Sequence, residues 1–324
     1  LVHFPVYWAP LALCLALVLA FMRRWWWAVG ACLLSAGFAA QVATLWMPFQ
    51  NETTTATQQD VPSQQPLTVL SFNVFKNNRQ HAVVLAALQK EQADVVYLTE
   101  MTAEWFTALA PLEKDYPHRV GKSGHNDWLL SKHPLENAEV VALTFEAAQT
   151  VNATAGAKGE PPPQQYNGSW SRDEMLVATV VAYGTKVRIG GIHPPTPTNA
   201  SRLVQQRASI ALYAQGLIAD PAAEARLLIG DFNTSSFSPT FRLLQDATGL
   251  RDTARGYGYR PTWGPRLPRD PWLPWCGIPI DHILASPNIT TLAHEVGPPL
   301  GSDHRWVKAR LTIPQGRTPA LSSS

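Results

Sequence analysis

Only two charged side chains, Arg23 and Arg24, occur in the first fifty positions of the chain, and they stand side by side. On either flank the sequence is uncharged, a proton on His3 apart. Residues 1–22 are dominated by Leu, Ala, Val and aromatics, and residues 25–48 open on Trp25-Trp26-Trp27. Each run approaches the roughly 20 residues a helix needs to cross a bilayer. Arginines beside tryptophans are the composition of a membrane–water interface. The stretch 1–48 is therefore expected to form a transmembrane helical hairpin with the lipid bilayer as its partner. Short positive loops stay cytoplasmic, which puts both ends of the hairpin, and residues 51–324, on the extracytoplasmic (periplasmic) side of an inner or plasma membrane. Two apolar runs about a central basic loop fit poorly with a cleavable signal peptide.

Setting that arginine pair apart from the 26 Lys+Arg leaves 24, equal to the 24 Asp+Glu. The polar part is electrically balanced, which excludes a basic protein that coats nucleic acid and any acidic or basic tail. The hydrophobic content of 46% excludes a disordered chain. Cys276 is the one cysteine outside the apolar region, so neither an intradomain disulfide nor a Cys-based zinc site is available. Residues 49–66, rich in Thr and Gln, read as a polar linker, and 315–324 as a frayed tail. A folded body is left over 67–314.

Within that body several short apolar runs end in polar residues. Leu67-Thr-Val-Leu-Ser-Phe-Asn reads as a buried strand ending in Asn73. Val84, Leu85 and Leu88 then share one helical face, and a second buried strand from Asp94 ends in Glu100. A strand, a helix and a strand thus bring an amide and a carboxylate to neighbouring strand ends, where α/β folds place their sites. Lys186 to Ile192 is a strand followed by His193, and an amphipathic helix is expected over Arg202 to Ile218. Arg226 onward is a strand ending in Gly230-Asp231-Phe232-Asn233, with Asp231 and Asn233 expected on one face by strand alternation. Ile280-Asp281-His282 opens another strand, on which His282 should face away from Asp281. Ser302-Asp303-His304 precedes the last apolar strand.

In this order Asn73, Glu100, His193, the GDFN of 230–233, the IDH of 280–282 and the SDH of 302–304 resemble the endonuclease/exonuclease/phosphatase superfamily. That superfamily includes DNase I, abasic-site endonucleases, sphingomyelinases and inositol-polyphosphate phosphatases. The resemblance covers about 67–312, and the apolar N-terminus resembles the membrane-anchored bacterial branch. It implies a four-layered α-β-β-α sandwich of two mixed β-sheets, an α+β architecture, as an endonuclease/exonuclease/phosphatase catalytic domain over 67–314.

The resemblance also implies roles. Glu100, Asn73 and Asp303 would hold the metal. Asp231 would be the general base, Asn233 a donor to the phosphate, and His304 a proton-bearing group paired with Asp281. His193 would donate to the phosphate or to the leaving oxygen. Oxygen and nitrogen ligands without thiolate favour Mg²⁺, with Mn²⁺ as the alternative, over zinc. DNase I-like relatives use a carboxylate to orient the histidine matched by His193; Asp127 is the nearest candidate. The Trp- and Pro-rich stretch 256–279, with Trp263, Trp272 and Trp275, reads as a wall of the site, as a bilayer-facing wedge or as a rigid packed loop.

The expected activity is that of a membrane-tethered, extracytoplasmic, divalent-metal-dependent phosphoesterase acting on a lipid-derived or small phosphoester. The alternatives are an extracytoplasmic DNase I-like nuclease, which the charge balance disfavours, and a non-catalytic binding module. No protein partner is inferable.

Overall fold

The computed structural model describes residues 3–48, 65–142, 174–218, 220–265 and 277–314. The tail expected over 315–324, nearly all of the 49–66 linker, and Trp272, Trp275 and Cys276 lie outside the described residues.

Two sheets make the body. In the first, β1 (Leu67–Asn73), β2 (Val95–Thr99), β3 (His118–Val120), β4 (Trp128–Ser131), β11 (Thr290–Val296) and β12 (Val307–Thr312) lie in the order β11-β12-β1-β2-β4-β3. In the second, β5 (Leu135–Ala142), β6 (Glu174–Ala182), β7 (Thr185–Ile192), β8 (Ala225–Asp231), β9 (Arg251–Asp252) and β10 (Asp281–Ala285) lie in the order β5-β6-β7-β8-β10-β9. Each sheet is mixed. The β1–β2 and β7–β8 pairs are parallel and the rest antiparallel.

Alternation along these strands divides the apolar residues among three layers. Val69, Tyr97, Ile189, Leu227, Ile229 and Val307 fill the space between the sheets. On the outer face of the first sheet, Leu70, Phe72 and Leu98 pack on Val84 and Leu88 of α3 (His81–Glu91) and on Trp105 of α4 (Ala103–Leu109). On the outer face of the second, Val177, Leu228 and Leu284 meet Tyr213 and Leu217 of α5 (Ala200–Ile218) and Phe241 and Leu244 of α6 (Pro239–Thr248). The expected α-β-β-α sandwich is the fold observed. Local chemistry sets the helix ends: the Thr102 hydroxyl accepts from Trp105 N at 3.3 Å, and Ser238 Oγ from Phe241 N at 3.1 Å, so each caps the first turn of its helix.

Ahead of the sandwich, α1 (Pro5–Phe21) and α2 (Trp25–Ala43) are joined by residues 22–24 and lie against one another, with Ser35 Oγ donating to Ala9 O at 2.7 Å. The span Trp25–Trp46 is long and apolar enough to cross a membrane, at a mean hydropathy of 1.7, and α1 is a shorter apolar helix of 17 residues. Residues at the ends of this pair that lie away from Arg23 and Arg24 bond to the sandwich. Tyr7 Oη donates to Gly277 O at 2.8 Å, and the amides of Gly256 and Gly258 both donate to Leu45 O.

Candidate active site

Both sheets end in a shared cleft of about 320 Å³. Glu100, Asp231, Asp303, Asn233, His193 and His304 line it, together with Thr196, Pro197, Trp263, Ile278, Ile280 and His3. Asn73 and Asp281 lie buried directly behind.

The first sheet supplies Asn73 and Glu100. Parallel register sets Asn73 opposite Thr99, so Glu100 is the first residue beyond β2. It adopts a left-handed backbone, φ 60°, which a non-glycine residue takes up at an energetic cost and which turns its side chain across the end of β1. Asn73 Nδ2 donates to Glu100 Oε1 at 3.0 Å and to Asp231 Oδ2 at 3.0 Å. The amide is thereby a crosspiece between the sheets. Its Oδ1 accepts from Phe75 N at 3.0 Å and keeps one lone pair. Lys76 N donates to Glu100 Oε2 at 3.1 Å.

The second sheet supplies Asp231 and Asp281, which antiparallel register sets directly opposite one another. Gly230, immediately before Asp231, is required. Its φ is 141°, and a Cβ there would lie 2.0 Å from Ile192 O. Asn233 reaches the cleft through a left-handed turn at φ 49°, after β8 has ended at Asp231, and not through the strand alternation expected from the sequence. Asn233 N donates to Asp231 Oδ1 at 2.8 Å, and its side-chain Nδ2 to Pro194 O at 3.0 Å, which leaves one amide hydrogen for a ligand.

His304 sits between the two aspartates. Its Nδ1 is 2.9 Å from Asp281 Oδ2 and its Nε2 is 3.5 Å from Asp231 Oδ2. Burial disfavours a charged ring, but Asp281 and Asp231 outweigh that and push the His304 pKa up to about 10. Burial also raises Asp281, so the pair competes for one proton, and the two flanking carboxylates place it on the ring. Asp231, Asp281 and His304 lie close enough together to hold a metal. While protonated, the His304 ring has no nitrogen lone pair to offer a cation and can act only as a donor. Ser302 fastens this loop, donating to Asn73 O at 2.8 Å and accepting from His304 N at 3.0 Å.

His193 Nε2 lies 3.5 Å from Asp231 Oδ2. Burial works against its charge, yet Asp231, Asp127 and Glu100 raise its pKa above the ordinary value. Asp127 is fully buried, accepts from Tyr97 Oη at 2.8 Å, and has its pKa lifted by burial to about 6. It acts on His193 through space, with no direct hydrogen bond between them among the described contacts. His282 lies on the opposite face, bonded to Asp252 and to Thr234 O.

All eight residues singled out for the site from sequence meet at this one place. Trp263, from the odd 256–279 stretch, is a wall of the cleft and donates to Asp303 Oδ2 at 3.4 Å. Sequence reading missed His3, Thr196, Pro197, Ile278 and Ile280. Nothing in a local pattern marks His3, whose Nδ1 is 2.9 Å from the Oγ of Ser235.

The donor set fits a hard divalent cation. Three carboxylates, Glu100, Asp231 and Asp303, line the cleft, and no Lys or Arg is among the described lining residues. Two mixed sheets that end in an acidic, histidine-bearing cleft define an α+β sandwich with a hard-donor site. The model of the endonuclease/exonuclease/phosphatase family matches residues 70–304, and the chain belongs to that family. No curated protein gives a significant sequence match. Among solved structures, an endonuclease/exonuclease/phosphatase from Beutenbergia cavernae is similar at 22% identity and a TM-score of 0.55, covering 77% of this chain and 72% of that one. D. rerio TDP2 complexed with single strand DNA product is similar at 16% identity and 0.58, covering 76% and 99%. Sphingomyelinase C from Streptomyces griseocarneus is similar at 18% identity and 0.53, also covering 76% and 99%. These likenesses establish the fold.

Proposed function

We propose that the protein is a divalent-metal-dependent phosphoesterase, anchored in a membrane by α1 and α2, that hydrolyses a lipid-derived or small phosphoester outside the cytoplasm. One observation carries the metal-dependent part. A cleft lined by three carboxylates, with no Lys or Arg in its described lining, carries more negative charge than the imidazoles of His304 and His193 offset, so it repels a phosphate anion unless a cation is added. Glu100, Asn73 Oδ1 and Asp303 are the hard oxygen donors that would hold Mg²⁺ or Mn²⁺. Such an ion supplies positive charge against the phosphate oxygens as negative charge develops there.

The chain's own groups do the rest. Asp231, fixed by Asn73 and by the Asn233 amide, orients the attacking water and accepts its proton. His304, charged through Asp281, donates to a phosphate oxygen. Asn233 donates with its remaining amide hydrogen, and His193 donates at the leaving oxygen.

The anchoring rests on the surface of the helices. Among the described residues, fifteen of the twenty exposed large hydrophobic side chains lie between Leu11 and Met47, an apolar surface that water does not support. The uncharged flanks of Arg23-Arg24 favour a cytoplasmic turn, with the sandwich on the other side.

The test is hydrolysis of bis-p-nitrophenyl phosphate by the full chain with Mg²⁺, with Mn²⁺ and with EDTA. Hydrolysis that EDTA abolishes and Mg²⁺ restores is expected. Metal-independent turnover overturns the metal reading, and none under any condition leaves a binding module.

A further inference from the structure

The helix pair does not hang loosely from the sandwich. The residues ahead of α1 reach the catalytic cleft, and those after α2 bond to the 255–258 loop of the sandwich. His3 is part of the cleft lining, and its Nδ1 accepts from Ser235 N at 3.4 Å and lies 2.9 Å from Ser235 Oγ. With Nδ1 used in this way, Nε2 is the ring nitrogen left for a ligand. A turn further along, Tyr7 Oη and Tyr259 Oη both donate to Gly277 O, one residue before the cleft wall at Ile278. At the end of α2, Met47 O accepts from Arg255 Nε at 3.0 Å, and the indole of Trp46 lies where a Cβ on Gly258 would come within 2.7 Å of it.

Length fixes the level of this junction. The span Trp25–Trp46 has 22 residues, which at helical rise is roughly 33 Å, slightly more than the hydrocarbon thickness. With Arg23 and Arg24 at one surface, Trp46 emerges at the other, at the depth of lipid headgroups, and the 17 residues of α1, roughly 26 Å, bring the start of that helix close to the same level. The cleft has the matching polarity, with carboxylates at its floor and Pro197, Trp263, Ile278 and Ile280 along its walls.

We propose that the membrane helices build part of the active site: His3 is a substrate-binding residue, and the docked helix ends hold the cleft at the bilayer surface for a phosphoester still embedded by its acyl chains. This rests on the phosphoesterase reading and names its substrate class.

The test uses the full chain in phosphatidylcholine vesicles, with two substrates. One is soluble bis-p-nitrophenyl phosphate; the other is a diacylglycerol p-nitrophenyl phosphodiester carried in the same vesicles. Wild type should favour the vesicle-borne ester by about tenfold or more in kcat/KM. His3→Ala should raise KM about tenfold on that ester with kcat held within about threefold, the pattern of a lost binding contact. The double variant Tyr7→Phe/Trp46→Ala lies outside the cleft lining. It should lose about tenfold on the vesicle-borne ester while keeping soluble turnover within about twofold, with an unchanged melting temperature as the folding control. Variants that match wild type on both substrates overturn the proposal and leave the phosphoesterase standing. Failure of wild type on both substrates removes the phosphoesterase reading and this proposal together. Preferential cleavage of a DNA or RNA oligonucleotide overturns the substrate class.

Discussion

His304 of the first sheet's last loop and Asp281 of the second sheet's β10 meet at 2.9 Å, and the pair is buried. The contact ties a proton to the point where the two sheets converge. A buried imidazolium with a carboxylate on each side has little reason to give its proton to water below about pH 10.

Asp281→Asn keeps the size of the side chain and removes its charge. The alkaline limb of activity, set by loss of the His304 proton near pH 10 in wild type, should move to lower pH. Turnover should fall on the order of 10²–10³, mainly in kcat. The raised pKa also stabilises the fold, fully below about pH 6.5 and progressively less as pH rises towards 10. Denaturant midpoints for wild type should therefore fall between those pH values, and those of the variant should fall less. A rate within about threefold of wild type with an unchanged profile would show a purely structural pair.

Glu100→Gln retains volume and a partner for Asn73 but discards the negative charge proposed to hold the cation. Activity should drop on the order of 10²–10³. Wild type should gain roughly 2.7 kcal/mol of stability from Mg²⁺ at 100 times its Kd, read as a higher melting temperature. The variant should gain much less. An equal gain in both would move the cation elsewhere.

Asp127→Asn addresses a buried carboxyl whose pKa is raised to about 6. A raised acid pKa means the folded state binds more protons between about pH 4 and 6, so wild-type stability should decline across that window as pH rises. The decline is up to roughly 3 kcal/mol at 1.36 kcal/mol per unit. The variant should show a flatter profile there, measured by urea titration at several pH values. Its His193 should also titrate at lower pH, since one of the carboxylates that raise it is gone.

Orientation across the membrane is read by a cysteine at Thr54, with Cys14, Cys32 and Cys276 replaced by serine. An impermeant maleimide should label it in intact cells. Labelling only after lysis would place the sandwich in the cytoplasm.

The strand ends were legible in the sequence because a buried apolar run that stops at Asn73, Glu100 or Asp231 announces a polar side chain at a sheet edge. The family motifs then supplied their order. What a one-dimensional pattern does not carry is register: nothing local says that Asp281 sits opposite Asp231, 50 positions earlier. Nor does it carry backbone handedness. Strand alternation predicts that Asn233 shares a face with Asp231, whereas a left-handed turn after the strand delivers it. His3 is the extreme case, 232 positions from Ser235 and preceding a stretch that reads only as a membrane anchor.

Asn73 bonds to Glu100 on its own sheet and to Asp231 on the facing one, each at 3.0 Å. The machinery is therefore not mounted on either half of the sandwich but strung between them. A slip of about 1 Å between the halves can cost on the order of 10² in rate, long before the apolar layer between the sheets opens to water. A copy damaged or only partly assembled falls silent first, so hydrolysis of phosphoesters is confined to molecules whose two sheets are correctly seated.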